Sequence, residues 1–180
     1  PVDTSPLSPV EIPPSPRPVR IFLGRHRGRM EEKGTDRLET AIRRAIDRNP
    51  GKGELVIVEN RPYDEYISLM RGAHVIVDQA YSHTPATNAL LSMAYGIPTV
   101  SGGEPEFYDF IGEPDTPLRR PVINSPLDTE GMTDMFDHIL NHPEELRPLG
   151  QASREFVARN NDCDIVARRF LAFWQSRIRR

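Results

Sequence analysis

The run NALLSMAYGIPTVSGGEPE, residues 88–106, reads as a helix, a tight turn carrying Gly96 and Pro98, a strand, and a glycine-rich loop. Glycines at the end of a strand let a ligand approach the backbone closely. The same alternation continues on both sides. Before it, AHVIVDQ (73–79) is of strand type, and TPATNALLSMAYG (84–96) is a helix with Thr84 as N-cap and Pro85 in the first turn. Earlier still, VRIFLG (Val19–Gly24) and ELVIVEN (54–60) read as strands. TDRLETAIRRAIDRN (35–49) sets Leu38, Ala41, Ile42, Ala45 and Ile46 on one helical face, and YDEYISLMRG (63–72) is a short helix. After it, RRPVINS (119–125) is a further short strand. Most of these strands are nearly continuous apolar runs. Alternation of such runs with helices signals a parallel sheet covered on both faces, with ligands at the carboxyl ends of its strands.

From about Asp128 onward the pattern is helical: TEGMTDMFDHILN, PEELRPLGQASREFVARN and CDIVARRFLAFWQSRIRR. The last is amphipathic, with Ile165, Val166, Phe170, Leu171, Phe173 and Trp174. Arg177, Arg179 and Arg180 suit its carboxyl end electrostatically. Such a helix either packs on its own or a neighbouring domain, the favoured expectation, or lies on a membrane surface. Residues 1–18, PVDTSPLSPVEIPPSPRP, hold many of the 18 prolines and exclude a helix or central strand. They read as an extended linker or extension, followed by one domain over 19–180.

The chain has 180 residues, 37% hydrophobic and 27% charged, with a net charge of −3. That balance excludes the basic surplus of a dedicated nucleic-acid binder. No apolar run approaches the ~20 residues of a membrane helix, and the first residues lack the basic-then-apolar pattern expected of a signal peptide. It begins at Pro1 without Met, so the expectation is a fragment or processed product whose missing start could hold a targeting segment or a domain. The one cysteine, Cys163, excludes an internal disulfide. It stands near a helix start and is read as an ordinary thiol. No Cys/His cluster has zinc-ligand spacing, so no metal is expected.

Two places could do chemistry. In LGRHRGRMEEKGTD the strand exit at Gly24 is followed by Arg25, Arg27, Arg29 and Lys33, just ahead of a helix that Thr35 or Asp36 could cap. Cations beside a helix amino end suit a diphosphate. Glu31 and Glu32 partly neutralise them, and a solvated charged loop is the competing reading. The glycine spacing fits neither a Walker loop nor GxGxxG. In the loop ahead of residue 88, Ser82, His83, Thr84, Thr87 and Asn88 can hold phosphate oxygens together with free N–H groups at the helix start. His83 could bind a sugar or donate a proton.

GRHRGRMEEKGTDRLETAI (24–42), YDEYISLMRGAHVIVDQ (63–79) and the opening run (88–106) together resemble the C-terminal half of a GT-B-fold glycosyltransferase. The resemblance is to the retaining group that includes sucrose- and glycogen-synthase-like enzymes (glycosyl transferases group 1), and it spans about residues 19–112. It implies a Rossmann-like three-layer α/β/α domain with a mostly parallel sheet of about five or six strands and C-terminal helices. It also implies a nucleotide-diphosphate-sugar donor as substrate, no cofactor, a cytoplasmic protein, and an N-terminal domain without which this half is inactive. Arg25 and Lys33 match the basic pair that neutralises the donor diphosphate. Gly24, Thr87 and Asn88 fall at its phosphates or ribose. His83, Gly102, Gly103, Glu104 and Glu106 fall near the sugar or phosphates, and Asn60 and Tyr63 near the nucleobase. The sequence departs from the family where two glutamates separated by seven residues are expected. His83 and Leu91 stand there, and Leu91 cannot accept a ribose hydrogen bond. Two alternatives stay open: a non-catalytic binding or scaffold domain with a degenerate donor site, and a sugar-nucleotide epimerase. A phospho-receiver would need carboxylates where LGRHRG supplies arginines.

Overall fold

The computed structural model describes residues 1–178; Arg179, Arg180 and the side chain of Arg27 lie outside the described residues. Five strands form one parallel sheet in the order β2-β1-β3-β4-β5. They are β1 (Val19–Gly24), β2 (Gly53–Val58), β3 (Val75–Val77), β4 (Thr99–Ser101) and β5 (Ile123–Asn124). Among the described residues eight α-helices accompany them: α1 (Met30–Lys33), α2 (Thr35–Arg48), α3 (Tyr63–Arg71), α4 (Thr87–Ala94), α5 (Pro105–Ile111), α6 (Thr129–Asn141), α7 (Leu146–Asn160) and α8 (Cys163–Ile178). The result is the expected Rossmann-like α/β layering.

Strand alternation sends side chains to both faces. Ile21, Leu23, Val75 and Val77 pack with Leu38, Ala41, Ile42 and Ala45 of α2 and Met132, Phe136 and Leu140 of α6. The residues between them, Phe22 and Ile76, pack on the opposite face with Met70 of α3, Tyr95 and Ile97. The apolar stripe expected for α2 is the buried one, and each fully buried Leu or Ile contributes about 1.5–3 kcal/mol. Arg48 at the end of α2 reaches Glu130 and Asp137, both at 2.9 Å, and Asp134 at 3.3 Å, tying α2 to α6. Asp128 caps α6 by accepting the Gly131 N–H at 2.8 Å.

Several boundaries depart from the sequence reading. Residues 25–33, expected as a charged loop, form a 3-10 turn (Arg27–Arg29) and the short helix α1, closed by Gly34 at φ 69°. Helix α4 starts at Thr87 with Ala86 as N-cap and no side-chain cap. Thr84 is therefore no cap, and Pro85 precedes the helix. The loop expected to hold Glu106 ends sooner: Glu104 is the N-cap of α5 and Glu106 lies in its first turn.

The proline-rich segment lies against the domain. The Val10 N–H donates to Tyr95 O at 2.8 Å, and Arg154 Nη2 to Leu7 O at 2.9 Å. Val2 pairs with Asp162, and Val2 and Ile12 are buried. At the other end of the chain, α8 has no buried residue. Phe170, Leu171, Phe173 and Trp174 are each more than half exposed.

Candidate functional site

The sheet order places the chain's reversal between β1 and β3, the neighbours that continue to opposite sides. In open parallel sheets the crevice at the carboxyl ends of such strands receives ligands. Here the exits of β1 and β3 carry the predicted cations and a buried acid.

Arg25 leaves β1 with its backbone N–H on Val58 O at 2.9 Å. Its guanidinium donates to Glu39 at 2.7 Å and to Glu59 at 3.1 Å. The Glu59 hydrogen bond foremost, and then the charges of both carboxylates, outweigh burial and push its pKa up. Lys33 sits 3.5 Å from Asp78, which follows β3 and is 2% exposed. Asp78 also accepts from Ser101 Oγ at 3.4 Å. Both contacts are long for a buried carboxylate. Arg29 pairs with Glu32 at 2.6 Å on the surface. Arg25 and Lys33 thus engage different carboxylates on different elements.

The backbone joins these exits. The Ala80 N–H donates to Lys33 O at 2.8 Å, and the Glu104 N–H to His83 O at 3.2 Å. Gly34 lies under Tyr81, whose ring a Cβ there would meet at 3.1 Å. His83 is exposed, Thr87 is exposed, and Asn88 is half-buried. Asn88 Oδ1 accepts from Tyr66 Oη at 2.9 Å. Burial, with the charge of Asp78, pushes Tyr66 up to about 12, so this hydroxyl stays a donor at neutral pH. An amide oxygen so occupied leaves the Asn88 NH₂ as the group available for acceptors. The first N–H groups of α4 have no intrahelical partners.

The glycines answer to the chain itself. A Cβ on Gly24 would stand 2.5 Å from Tyr66 Oη. One on Gly102 would stand 1.7 Å from Ser82 O, and one on Gly103 2.9 Å from Val122 Cβ. The close approach expected for a ligand at 102–103 is made by the loop after β3 and by Val122. The Gly103 N–H is taken by Asn124 Oδ1 at 2.9 Å. Asn60 and Tyr63 lie exposed beyond β2, Asn60 at φ 51° and Tyr63 68% exposed. Leu91 packs into the apolar clusters of α4.

Sequence reasoning missed Glu39, Glu59, Asp78, Tyr66 and Ser101. Asp78 had a signal: a carboxylate directly ending an apolar strand run. The others pair only through the tertiary fold. Two cavities of about 590 and 500 Å³ flank residues 9–11 at the amino side of the sheet, away from this rim. The cations and free helix N–H groups are the better guide to chemistry, because cavity size alone supplies no polar complement. Among the described residues no cluster of His, Cys, Asp and Glu could hold a metal ion, and no helix is long and apolar enough to cross a membrane.

No family model and no curated protein matches the sequence. Solved structures do. One is the C-terminal domain of a glycosyl transferase group 1 family protein (LpcC) from Francisella tularensis. It is 19% identical, with a TM-score of 0.63 over 91% of this chain and 100% of that one. Another is sucrose-phosphate synthase from Thermosynechococcus elongatus, 17% identical, with a TM-score of 0.64 over 98% of this chain. The present chain spans about half of that protein, 51%. At these identities the likeness shows the fold, which is that of a GT-B C-terminal domain.

Proposed function

We propose that this chain is the donor-binding half of a glycosyltransferase that takes a sugar from a nucleotide-diphosphate sugar and passes it to an acceptor. One observation carries the reading. The sheet order puts Arg25 and Lys33 and the amino end of α4 at the carboxyl edge of β1 and β3, within a fold that two glycosyltransferase-related structures share. Lys33, a quarter exposed and held only at 3.5 Å, is the better placed cation for a diphosphate. Arg25, committed to two carboxylates, braces the exits of β1 and β2 against α2. Positive charge at this place would stabilise the leaving nucleoside diphosphate, the main service a donor half can supply. The acceptor face belongs to a second body, so the isolated chain is expected not to transfer sugar.

The test is calorimetric titration with UDP, GDP and their sugars, followed by transfer assays with and without an N-terminal half. Micromolar to low-millimolar binding lost in Lys33→Ala, and transfer only with both halves, support the reading. Efficient transfer by this chain alone refutes its dependence on a partner domain. A second reading is favoured by Leu91, which stands half-buried against the core clusters where the resembled family has an acid. On that reading the chain is a scaffold domain with a degenerate donor site, and it binds no nucleotide at millimolar concentration.

A further inference from the structure

The rim's cations are already answered by acids. Arg25 and Arg43 converge on Glu39, the latter at 2.9 Å. Arg25 also holds Glu59, and Lys33 faces Asp78. Each of these described cations already faces a carboxylate. An incoming anion that reaches Arg25 or Lys33 must therefore share or displace a resident carboxylate.

The three acids differ in what a ligand would cost them. Glu39 keeps Arg43 when Arg25 turns away. Asp78 is 2% exposed, and without Lys33 its remaining described side-chain contact is the 3.4 Å bond from Ser101. A buried carboxylate stripped of its cation is costly. Lys33 must then serve Asp78 and the ligand together. Its 3.5 Å separation and three N–H donors permit that. Glu59, with a side chain 15% exposed, stands at the β2 exit beside Asn60.

We propose that Glu59 and Asp78 are specificity-determining residues, resident competitors that occupy Arg25 and Lys33 so that a small free anion gains nothing by binding. Phosphate or pyrophosphate offers only charge, and charge is what the two carboxylates already supply. A nucleoside diphosphate brings base and ribose contacts as well, and that surplus lets it share the cations. The proposal rests on the donor-site reading for the identity of the favoured ligand. The competition itself is a property of the four side chains.

The experiment titrates inorganic pyrophosphate, UDP and GDP into the wild-type chain, Glu59→Gln and Asp78→Asn, with each variant's fold checked by its thermal transition. Pyrophosphate is expected to bind the wild type weakly, beyond millimolar, and to bind each variant at least tenfold more tightly. Unchanged or weaker pyrophosphate binding in the folded variants overturns the proposal. Should Asp78→Asn fail to fold, Glu59→Gln, at a partly exposed strand exit, decides the matter. The donor-site reading fails by a different result: UDP and GDP binding no better than pyrophosphate in all three proteins. Tighter pyrophosphate binding in the variants would still establish the competition.

Discussion

Replacing Gly102 by alanine is the sharpest probe of how the rim is built. The added Cβ would lie 1.7 Å from Ser82 O, and neighbouring Cβ contacts fall essentially never below 3.0 Å, so it is 1.3 Å too close. No side chain can yield, because the obstacle is backbone. The Ser82 carbonyl belongs to the loop after β3, which the Glu104 N–H binds through His83 O at 3.2 Å. Gly102 follows β4, whose Val100 and Ser101 are fully buried. Forced overpacking of a buried site costs about 3 kcal/mol or somewhat more. At about 2–4 °C per kcal/mol for a chain of this size, the thermal midpoint drops by roughly 6–12 °C. Gly51→Ala is the control. Its φ is 76° with nothing within 4 Å, so only backbone strain of about 1–2 kcal/mol is added. Urea unfolding of both variants measures the difference. A Gly102→Ala protein less perturbed than Gly51→Ala would refute the claim that the glycine-rich loop is closed by the chain's own backbone.

Two further outcomes concern pH. Tyr66 and Tyr108 both rise to about 12 from an ordinary value of 10.0, chiefly through burial, so the native state holds protons that the unfolded chain releases. Stability is therefore whole below pH 10 and falls as pH climbs toward 12, and Tyr66→Phe should flatten part of that fall in alkaline urea titrations. Glu113 behaves in the opposite sense. Burial pushes it up, but the Asn160 hydrogen bond and the charges of Arg159 and Arg119 prevail and hold it below 4.5, so its contribution is present above that pH and lost as acid protonates it. Glu113→Gln should cost about 2 kcal/mol at pH 7, a buried-pair loss discounted for the partly exposed arginines, with a smaller decline on acidification than the wild type.

The sheet was legible because its signals are local. VRIFLG is β1 residue for residue, and TEGMTDMFDHILN is α6. β3 and β4 proved shorter than their apolar runs, since flanking Ala73, Ala80 and Ile97 are buried without being in the ladder. α5 was hidden because PEFYDFI opens on a proline just after two glycines and reads as the tail of a loop. At the rim, Arg25 and Lys33 could be named from the motif, but their carboxylates could not. Glu39 lies on the polar face of α2 and Glu59 just past β2, and only the folded sheet sets them against Arg25. The glycines at 24 and 102 stand out in the sequence as places of close approach, and in the fold what comes close to them is Tyr66 and Ser82.

The parallel bridge of Val2 with Asp162 gives the lone thiol a reporting role. The Cys163 N–H donates to Val2 O at 3.0 Å, and Thr4 Oγ1 to Asp162 at 2.5 Å. Burial first, and then the charges of Asp3, Asp162 and Asp164, keep the Cys163 sulfhydryl above its ordinary range, and Asp3 belongs to the amino-terminal strap. Peeling the strap away removes that acid. Alkylation at this one atom would therefore quicken whenever the first residues lift, so a stopwatch and a maleimide read how often the strap lets go.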